Sequence, residues 1–248
     1  MSLTGLAMWE RWQDTVRAAL PLYAQSPFYV NQTTVTEDEV DRAVTALDAR
    51  WDVSGMTRDV VHGARVFETS RGPVTRQWVD GNVEIGFLFQ ALPYMAAHDV
   101  LDIGAGYGRL AVMLSPLVRS YTCVDPVSVS VDVCRDYTAR YAPSVRVLSV
   151  DEFLADLPTL RPTLAINIHS WNECDRAQIT GWLDVLDVLA VPYLFTVTHD
   201  ADPQVFTAWE TDQPNFRPLI EARYDVIAEA ALGFGALPHV LWRRKGNA

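Results

Sequence analysis

The stretch at residues 98–114, HDVLDIGAGYGRLAVML, constrains the fold more than any other part of the chain. A short apolar strand at residues 100–103 runs into a glycine-rich turn, and the turn runs into an apolar segment with helical spacing at residues 109–117. Glycines in such a turn let a ligand approach the backbone closely. The sequence therefore predicts an α/β fold that binds a dinucleotide, a nucleoside triphosphate or S-adenosylmethionine at this turn.

The remainder of the chain alternates between strands and helices. Predicted strands lie at residues 100–103, 120–125, 145–150, 163–170 and 192–200, with helices at 109–117, 128–141, 151–157 and after the capping pair Asp175 and Gln178. This order is typical of a parallel, doubly wound sheet with right-handed crossovers. A helix near residues 214–223 precedes two final strands, 224–232 and 238–245. The short connection GFGAL requires these two strands to be antiparallel. We predict a mixed, Rossmann-like seven-stranded sheet with a terminal hairpin.

Two amphipathic helices are predicted ahead of this sheet. The first carries apolar residues at helical spacing, namely Trp9, Trp12, Val16, Leu20 and Tyr23. The second begins at the capping pair Thr36 and Glu39 and presents Val40, Val44, Leu47 and Trp51. We therefore predict an N-terminal helical cap region at residues 1–97 and a ligand-binding domain at residues 98–248. The cap packs on the domain or serves as a lid over its site.

The amino-acid composition limits the classes of partner that this chain can bind. The net charge of −11 argues against nucleic acid, because affinity for long polyanions depends on lysine and arginine contacts to phosphate. Charged residues near the start interrupt the apolar run that a signal peptide needs, and no apolar segment reaches membrane-spanning length. We expect a cytoplasmic protein without a membrane partner, and the oligomeric state stays open. Three cysteines, Cys123, Cys134 and Cys174, are expected to be structural.

The glycine spacing separates the three ligands. A Walker A loop needs a lysine after its last glycine, whereas Arg109 follows Gly108. A dinucleotide fingerprint needs a glycine at position 109. The observed pattern is GxGxG, with Asp102 two residues before Gly104. A carboxylate at that position disfavours a pyrophosphate and favours a ligand with a cationic amino-acid end.

The segment VLDIGAGYG resembles the first motif of class I S-adenosylmethionine-dependent methyltransferases, and the similarity extends over roughly residues 98–245. It implies the seven-stranded sheet of that family and S-adenosylmethionine as the cofactor. It also implies that Asp125 accepts both ribose hydroxyls and that Asp151, after the third strand, meets the adenine, a role that Glu152 could share. The other implied cofactor contacts are Asp102, Gly104, Ala105, Gly106, Tyr107, Gly108, Pro126 and Asn167. The alternative role for each acid is to cap a helix.

The end of the fourth strand, NIHSWNEC, bears on the acceptor. It lacks the [DN]PP[YF] element of adenine methyltransferases and the Pro-Cys of pyrimidine C5 enzymes. His169 is the candidate general base for a hydroxyl acceptor, since imidazole exchanges protons near neutral pH; the alternative is a histidine bonded to nearby backbone. Candidate acceptor contacts are Trp171, Glu173, His199 and Asp200, and Trp171 could equally belong to the core.

Two further hypotheses concern the chemistry. His169, Glu173, His199 and Asp200 could assemble a divalent metal site, but no close ligand spacing supports it and we expect no metal. The pair LDIGAGYGRLA and IHSWNE is similar to bacterial sugar O-methyltransferases over short stretches. We predict methyl transfer to a hydroxyl of a small or sugar-like acceptor. The alternatives are N-methylation of a small amine or protein side chain, and a non-catalytic cofactor-binding protein of the same fold.

Overall fold

The computed structural model describes residues 35–50, 65–200, 202, 206 and 215–246. A small antiparallel hairpin, β1 (Val66–Thr69) and β2 (Gly72–Thr75), precedes a seven-stranded sheet. The strands of the sheet are β3 (Asp99–Ile103), β4 (Ser120–Asp125), β5 (Arg146–Ser149), β6 (Leu164–Ile168), β7 (Tyr193–Val197), β8 (Tyr224–Leu232) and β9 (Leu237–Arg244). Their order in space is β5-β4-β3-β6-β7-β9-β8. Strands β3 to β7 run parallel, and β9 pairs antiparallel with both β7 and β8. The predicted mixed sheet with a terminal hairpin is confirmed.

Helices cover both faces of this sheet. They are α1 (Glu37–Arg50), α2 (Arg76–Ala91), α3 (Arg109–Leu114), α4 (Ser128–Tyr141), α5 (Val150–Asp156), α6 (Arg176–Val188) and α7 (Arg217–Glu221). The side chains of α5, α6 and α7 contribute to one apolar core, and those of α1, α2 and α3 contribute to the other. This arrangement is a doubly wound α/β sandwich.

Local capping explains where several helices begin. Asp175 and Gln178 form a reciprocal capping box at α6, as the sequence predicts. Thr36 and Glu39 make the corresponding bonds at α1. Ser149 and Glu152 form a third capping box, which ends β5 at Ser149 and starts α5 at Val150. Asp151 therefore lies in the first turn of α5, within the predicted helix at residues 151–157, and the third strand ends one residue earlier than predicted.

The sequence analysis assigned no element to residues 65–97, where the structure places the β1–β2 hairpin and α2. Thr75 is the N-cap of helix α2, and its hydroxyl accepts the backbone N–H of Trp78 at 3.1 Å. Most of its residues are buried, and they pack in the same core as α1 and the sheet. The boundary at residues 97 and 98 stays a prediction, and it separates α2 from the sheet that this helix covers.

Several expectations concern other parts of the chain. The first predicted helix, around residues 9–23, and Trp51 lie outside the described residues. None of the helices that the structure describes is both long and apolar enough to cross a bilayer. All three cysteines are unbridged and buried, in keeping with a structural role.

Candidate active site

A cleft lies at the carboxyl ends of β3, β4 and β6, where the strand order reverses direction on either side of β3. Its empty volume is about 1010 Å³, including the part open to solvent. Residues 104–107 of the glycine turn line one side together with Asp102 and Asp125, and His169 and His199 line the other. Ligands of open α/β sheets bind at such a switch point. The fold therefore brings the glycine turn and the histidine candidates to one site.

The three glycines of the turn all have positive φ angles, which are 74° at Gly104, 57° at Gly106 and 88° at Gly108. A Cβ atom on Gly104 would lie 2.2 Å from Ser170 Oγ, and one on Gly108 would lie 2.9 Å from Cys134 Sγ. Gly104 thus allows the turn after β6 to approach β3. Gly108 allows α4 to approach α3 and does not line the cleft, unlike Ala105, Gly106 and Tyr107.

Asp125 occupies the end of β4, directly against the glycine turn. Its Oδ2 accepts the Gly106 N–H at 3.0 Å, and its Oδ1 accepts the Val127 N–H at 2.8 Å. Burial raises the pKa of this carboxyl to about 7, although the two backbone hydrogen bonds act in the opposite direction. The adjacent Pro126 also lines the cleft. Both carboxylate oxygens keep lone pairs for a ligand, which suits a vicinal diol.

Asp102 is the second buried carboxyl in the cleft. Only 4% of the residue is exposed, and its Oδ2 accepts the Tyr121 hydroxyl at 2.8 Å. Burial raises its pKa to about 7, more than the Tyr121 hydrogen bond and the Arg109 charge lower it. A cationic ligand group beside Asp102 would stabilise the charged carboxylate.

The cleft also contains residues that the sequence analysis missed. Arg109 lines it and forms a two-point ion pair with Glu84 of α2, at 2.8 and 2.9 Å. Gln77, at the start of α2, lines it as well. The available signal was Thr75, a residue type preferred at helix N-caps, three residues before the apolar pair Trp78 and Val79. The partnership of Arg109 with Glu84 connects the glycine turn to the helix behind it.

His169 terminates β6 in a left-handed conformation, with φ at 65°. The backbone N–H of His169 donates to the Val197 carbonyl at 2.8 Å. Its ring stacks on the ring of His199, with centroids 4.0 Å apart and planes 10° apart. Burial, and then the neighbouring His199, hold the pKa of His169 well below its ordinary value. His169 is therefore a neutral imidazole at physiological pH.

Asn167 and Trp171 support the histidine turn from inside the protein. The side-chain amide of Asn167 donates to the Ile103 carbonyl at 2.9 Å and to Ser170 Oγ at 2.5 Å. Its Oδ1 accepts the backbone N–H of Trp171 at 3.2 Å. Trp171 is 1% exposed and packs edge-on against Phe216. Neither residue lines the cleft. Asn167 instead holds the turn after β6 against the end of β3 through its hydrogen bonds, and Trp171 belongs to the core.

The remaining candidates are divided between the cleft and the surface. Glu173 lines the cleft, and Asp200 lies nearby, where it accepts the Asn172 amide at 3.3 Å. Asp151 and Glu152 are exposed on α5, and Glu152 pairs with Arg135 at 2.5 Å. The structure does not bring these two acids to the cleft. Within the described part of the chain, no three His, Cys, Asp or Glu side chains are grouped to hold a metal ion.

Comparisons with known proteins bear on the fold. No family model matches the chain, and no curated protein matches it. Among solved structures, a protein of the NADB-Rossmann superfamily from Streptococcus agalactiae aligns with a TM-score of 0.51 and 11% identity, over 68% of this chain and 67% of that one. This chain has a Rossmann-like fold.

Two other solved structures are named as methyltransferases. An S-adenosylmethionine-dependent methyltransferase from Aquifex aeolicus aligns with a TM-score of 0.49 and 17% identity, over 62% of this chain and 86% of that one. The glycopeptide N-methyltransferase MtfA in complex with S-adenosylhomocysteine aligns with a TM-score of 0.49 and 14% identity, over 65% and 88%. Likeness at such identities concerns the Rossmann-like fold alone, so function depends on the site.

Proposed function

We propose that this chain is an S-adenosylmethionine-dependent methyltransferase that acts on a hydroxyl of a small or sugar-like acceptor. The observation that carries the proposal is the way in which backbone hydrogen bonds hold the Asp125 carboxylate at the cleft. Its two oxygens are fixed by the N–H groups of Gly106 and Val127, at the cleft and beside three glycines with positive φ. A carboxylate held in this way, against a backbone open to close approach, suits the ribose of a nucleoside.

The residues present fit this cofactor better than a dinucleotide. Asp125 would accept the ribose hydroxyls, and Asp102 would meet the ammonium of the methionine end. Both carboxyls are buried in the cleft. Asp125 suits the ribose of either ligand, but Asp102 beside the glycine turn would repel a pyrophosphate, whereas a cation offsets the cost of its burial. When bound, S-adenosylmethionine supplies a methyl group on a sulfonium, and the carbon–sulfur electron pair returns to sulfur as the thioether product forms.

His169 supplies the proton acceptor. A neutral imidazole has a nitrogen lone pair that can take the proton of an acceptor hydroxyl as the oxygen forms its bond to the methyl carbon. Glu173 and His199 line the same side of the cleft and would contact the acceptor. Most of the catalysis would then come from alignment of the acceptor oxygen within a cleft that limits access of water.

The cofactor assignment is tested by calorimetric titration with S-adenosylhomocysteine, with NAD as the competing ligand. Asp125→Asn keeps the shape of the side chain but removes its charge, so we expect the affinity to fall about 10- to 100-fold, the usual range for hydrogen bonds to a charged group. Asp151→Asn is the matched control on exposed α5 and should bind like wild type. Absence of S-adenosylhomocysteine binding by wild type, or tighter binding of NAD, would refute the assignment.

The catalytic assignment requires an acceptor, found by screening hydroxylated and amine compounds for methyl incorporation. With a hydroxyl acceptor, His169→Ala should lower kcat by about 10²- to 10⁴-fold, as expected for loss of a general base. Its affinity for S-adenosylhomocysteine should stay near that of wild type. An unchanged kcat would exclude His169 as the base. Activity restricted to amines would favour N-methylation instead.

A further inference from the structure

The two stacked histidines belong to neighbouring strands and are tethered through their backbones. His169 follows β6 and donates its N–H to the Val197 carbonyl of β7 at 2.8 Å. His199 follows β7, and its N–H donates to Asn172 Oδ1 in the turn after β6 at 3.3 Å. These crossed hydrogen bonds hold the two strand ends together. The face-to-face ring contact at 4.0 Å is therefore built into the sheet.

The conformation of His169 also points to a constrained ring. A non-glycine residue with positive φ costs on the order of 1–3 kcal/mol and persists only where the surroundings determine it. Here the surroundings are Ser170, which contacts Gly104, and Asn167, which bonds Ser170 Oγ. Strained residues of this kind cluster at functional sites. The strain directs the His169 side chain toward the cleft and onto His199.

The charges around the pair differ on its two sides. The charges of three groups act on His169 and disfavour a positive charge on its ring. They are Arg109 of α3, Arg76 of α2 and His239 of β9. Burial lowers the pKa of His199 as well, and the neighbouring Asp200 offsets part of that effect. Two imidazolium rings at this separation would repel each other strongly. Protonation is therefore costlier at His169 than at His199, and the two rings are not protonated together.

We propose that His199 is a positioning residue for His169: its stacked ring fixes the plane of the His169 imidazole, and the contact prevents both rings from being protonated together. This inference rests on the proposed function for its catalytic meaning. The pairing itself depends only on the geometry of the two strand ends. His199 would thus orient the His169 ring, in addition to the acceptor contact that its position in the cleft suggests.

The test is a pH titration of ring-labelled histidine by NMR, which needs neither cofactor nor acceptor. The chain has five histidines, so the signals can be assigned by substitution. In wild type, His199 should protonate first as the pH falls, and the protonation of His169 should be shifted to lower pH as a result. His199→Phe retains a stacked ring without a charge, so the His169 midpoint should rise while the His169 ring signals stay as sharp as in wild type. His199→Ala should also raise the midpoint and should broaden those signals, because the ring loses its support.

The control is His98→Phe, which replaces a histidine directly before β3, at the opposite end of the sheet, where it contacts Tyr193 edge-on. It should leave the His169 titration unchanged. If His199→Phe has as little effect as this control, or if His169 protonates first in wild type, the pairing is refuted. Calorimetry with S-adenosylhomocysteine on the same samples separates the two proposals. Coupled titration without ligand binding would reject the proposed function and leave the histidine pairing intact.

Discussion

Replacement of Glu84 by Gln tests the buried ion pair that connects α2 to the glycine turn. The Glu84 side chain is 4% exposed and that of Arg109 is 16% exposed, and they share hydrogen bonds of 2.8 and 2.9 Å. The variant Glu84→Gln removes the negative charge and one acceptor, so the buried guanidinium loses its hydrogen-bonded counter-ion and keeps only longer-range interactions with Asp80 and Asp102. Breaking such a pair typically costs about 3–5 kcal/mol. Against a usual total of about 5–15 kcal/mol, the free energy of unfolding should fall by a large fraction.

Urea unfolding, followed by circular dichroism and tryptophan fluorescence, measures this loss. The matched control is Asp136→Asn, which breaks the exposed pair with Arg140 on α4 and should cost no more than about 0.5 kcal/mol. The double variant Glu84→Gln/Arg109→Met leaves no unpaired charge and should be more stable than Glu84→Gln alone. A difference under about 1 kcal/mol between Glu84→Gln and the control would refute the argument, as would a double variant less stable than the single one.

Two further predictions concern the glycine turn and the buried acids. Gly104→Ala should destabilise the protein by more than the roughly 1–3 kcal/mol of backbone strain alone, because its Cβ would overlap Ser170 Oγ at 2.2 Å. Gly235→Ala has similar φ but contacts only Leu237, at 3.8 Å, and thermal unfolding of the two should differ; equal losses would exclude the clash. The raised pKa of Asp102, about 7 against 3.8 for an ordinary aspartate, means that the unfolded chain loses this proton first as pH rises. Between about pH 4 and pH 7 the carboxyl therefore lowers stability as pH increases. Asp102→Asn should gain stability relative to wild type between pH 5 and pH 8 in urea unfolding, and a pH-independent difference would contradict this.

The parts of the fold that local signals determine could be predicted from the sequence. The strand, the glycine turn and α3 follow one another within a single stretch, and the capping box of Asp175 and Gln178 marks the start of α6. The antiparallel hairpin followed from the length of its connection alone. The positions of Asp102 and Asp125 at the cleft were predictable for the same reason, since Asp102 lies one residue before the end of β3 and Asp125 ends β4.

Helix α2 was missed because it lacks the amphipathic stripe that reveals a surface helix. It is buried on nearly all sides, including the polar residues Gln77, Asn82 and Glu84. A helix of this kind shows no clear period in hydrophobicity. The pairing of Glu84 with Arg109 is equally invisible in a local pattern, because the two residues meet only after the helix packs on the sheet. The capping box of Ser149 and Glu152 starts α5 at Val150, and Asp151 lies exposed in the first turn of this helix and not at the cleft.

The cleft combines two chemically different sides that share one structural element. Buried carboxyls, Asp102 and Asp125, lie on the proposed cofactor side, and stacked imidazoles lie on the proposed acceptor side. Ser170 lies between the two sides. It fills the space that Gly104 leaves open, and its Oγ accepts a hydrogen bond from the Asn167 side-chain amide. Because His169 immediately precedes Ser170, a side chain at Gly104 that displaces Ser170 should also shift the His169 ring. Under the proposed function, replacement of Gly104 should therefore impair both cofactor binding and methyl transfer.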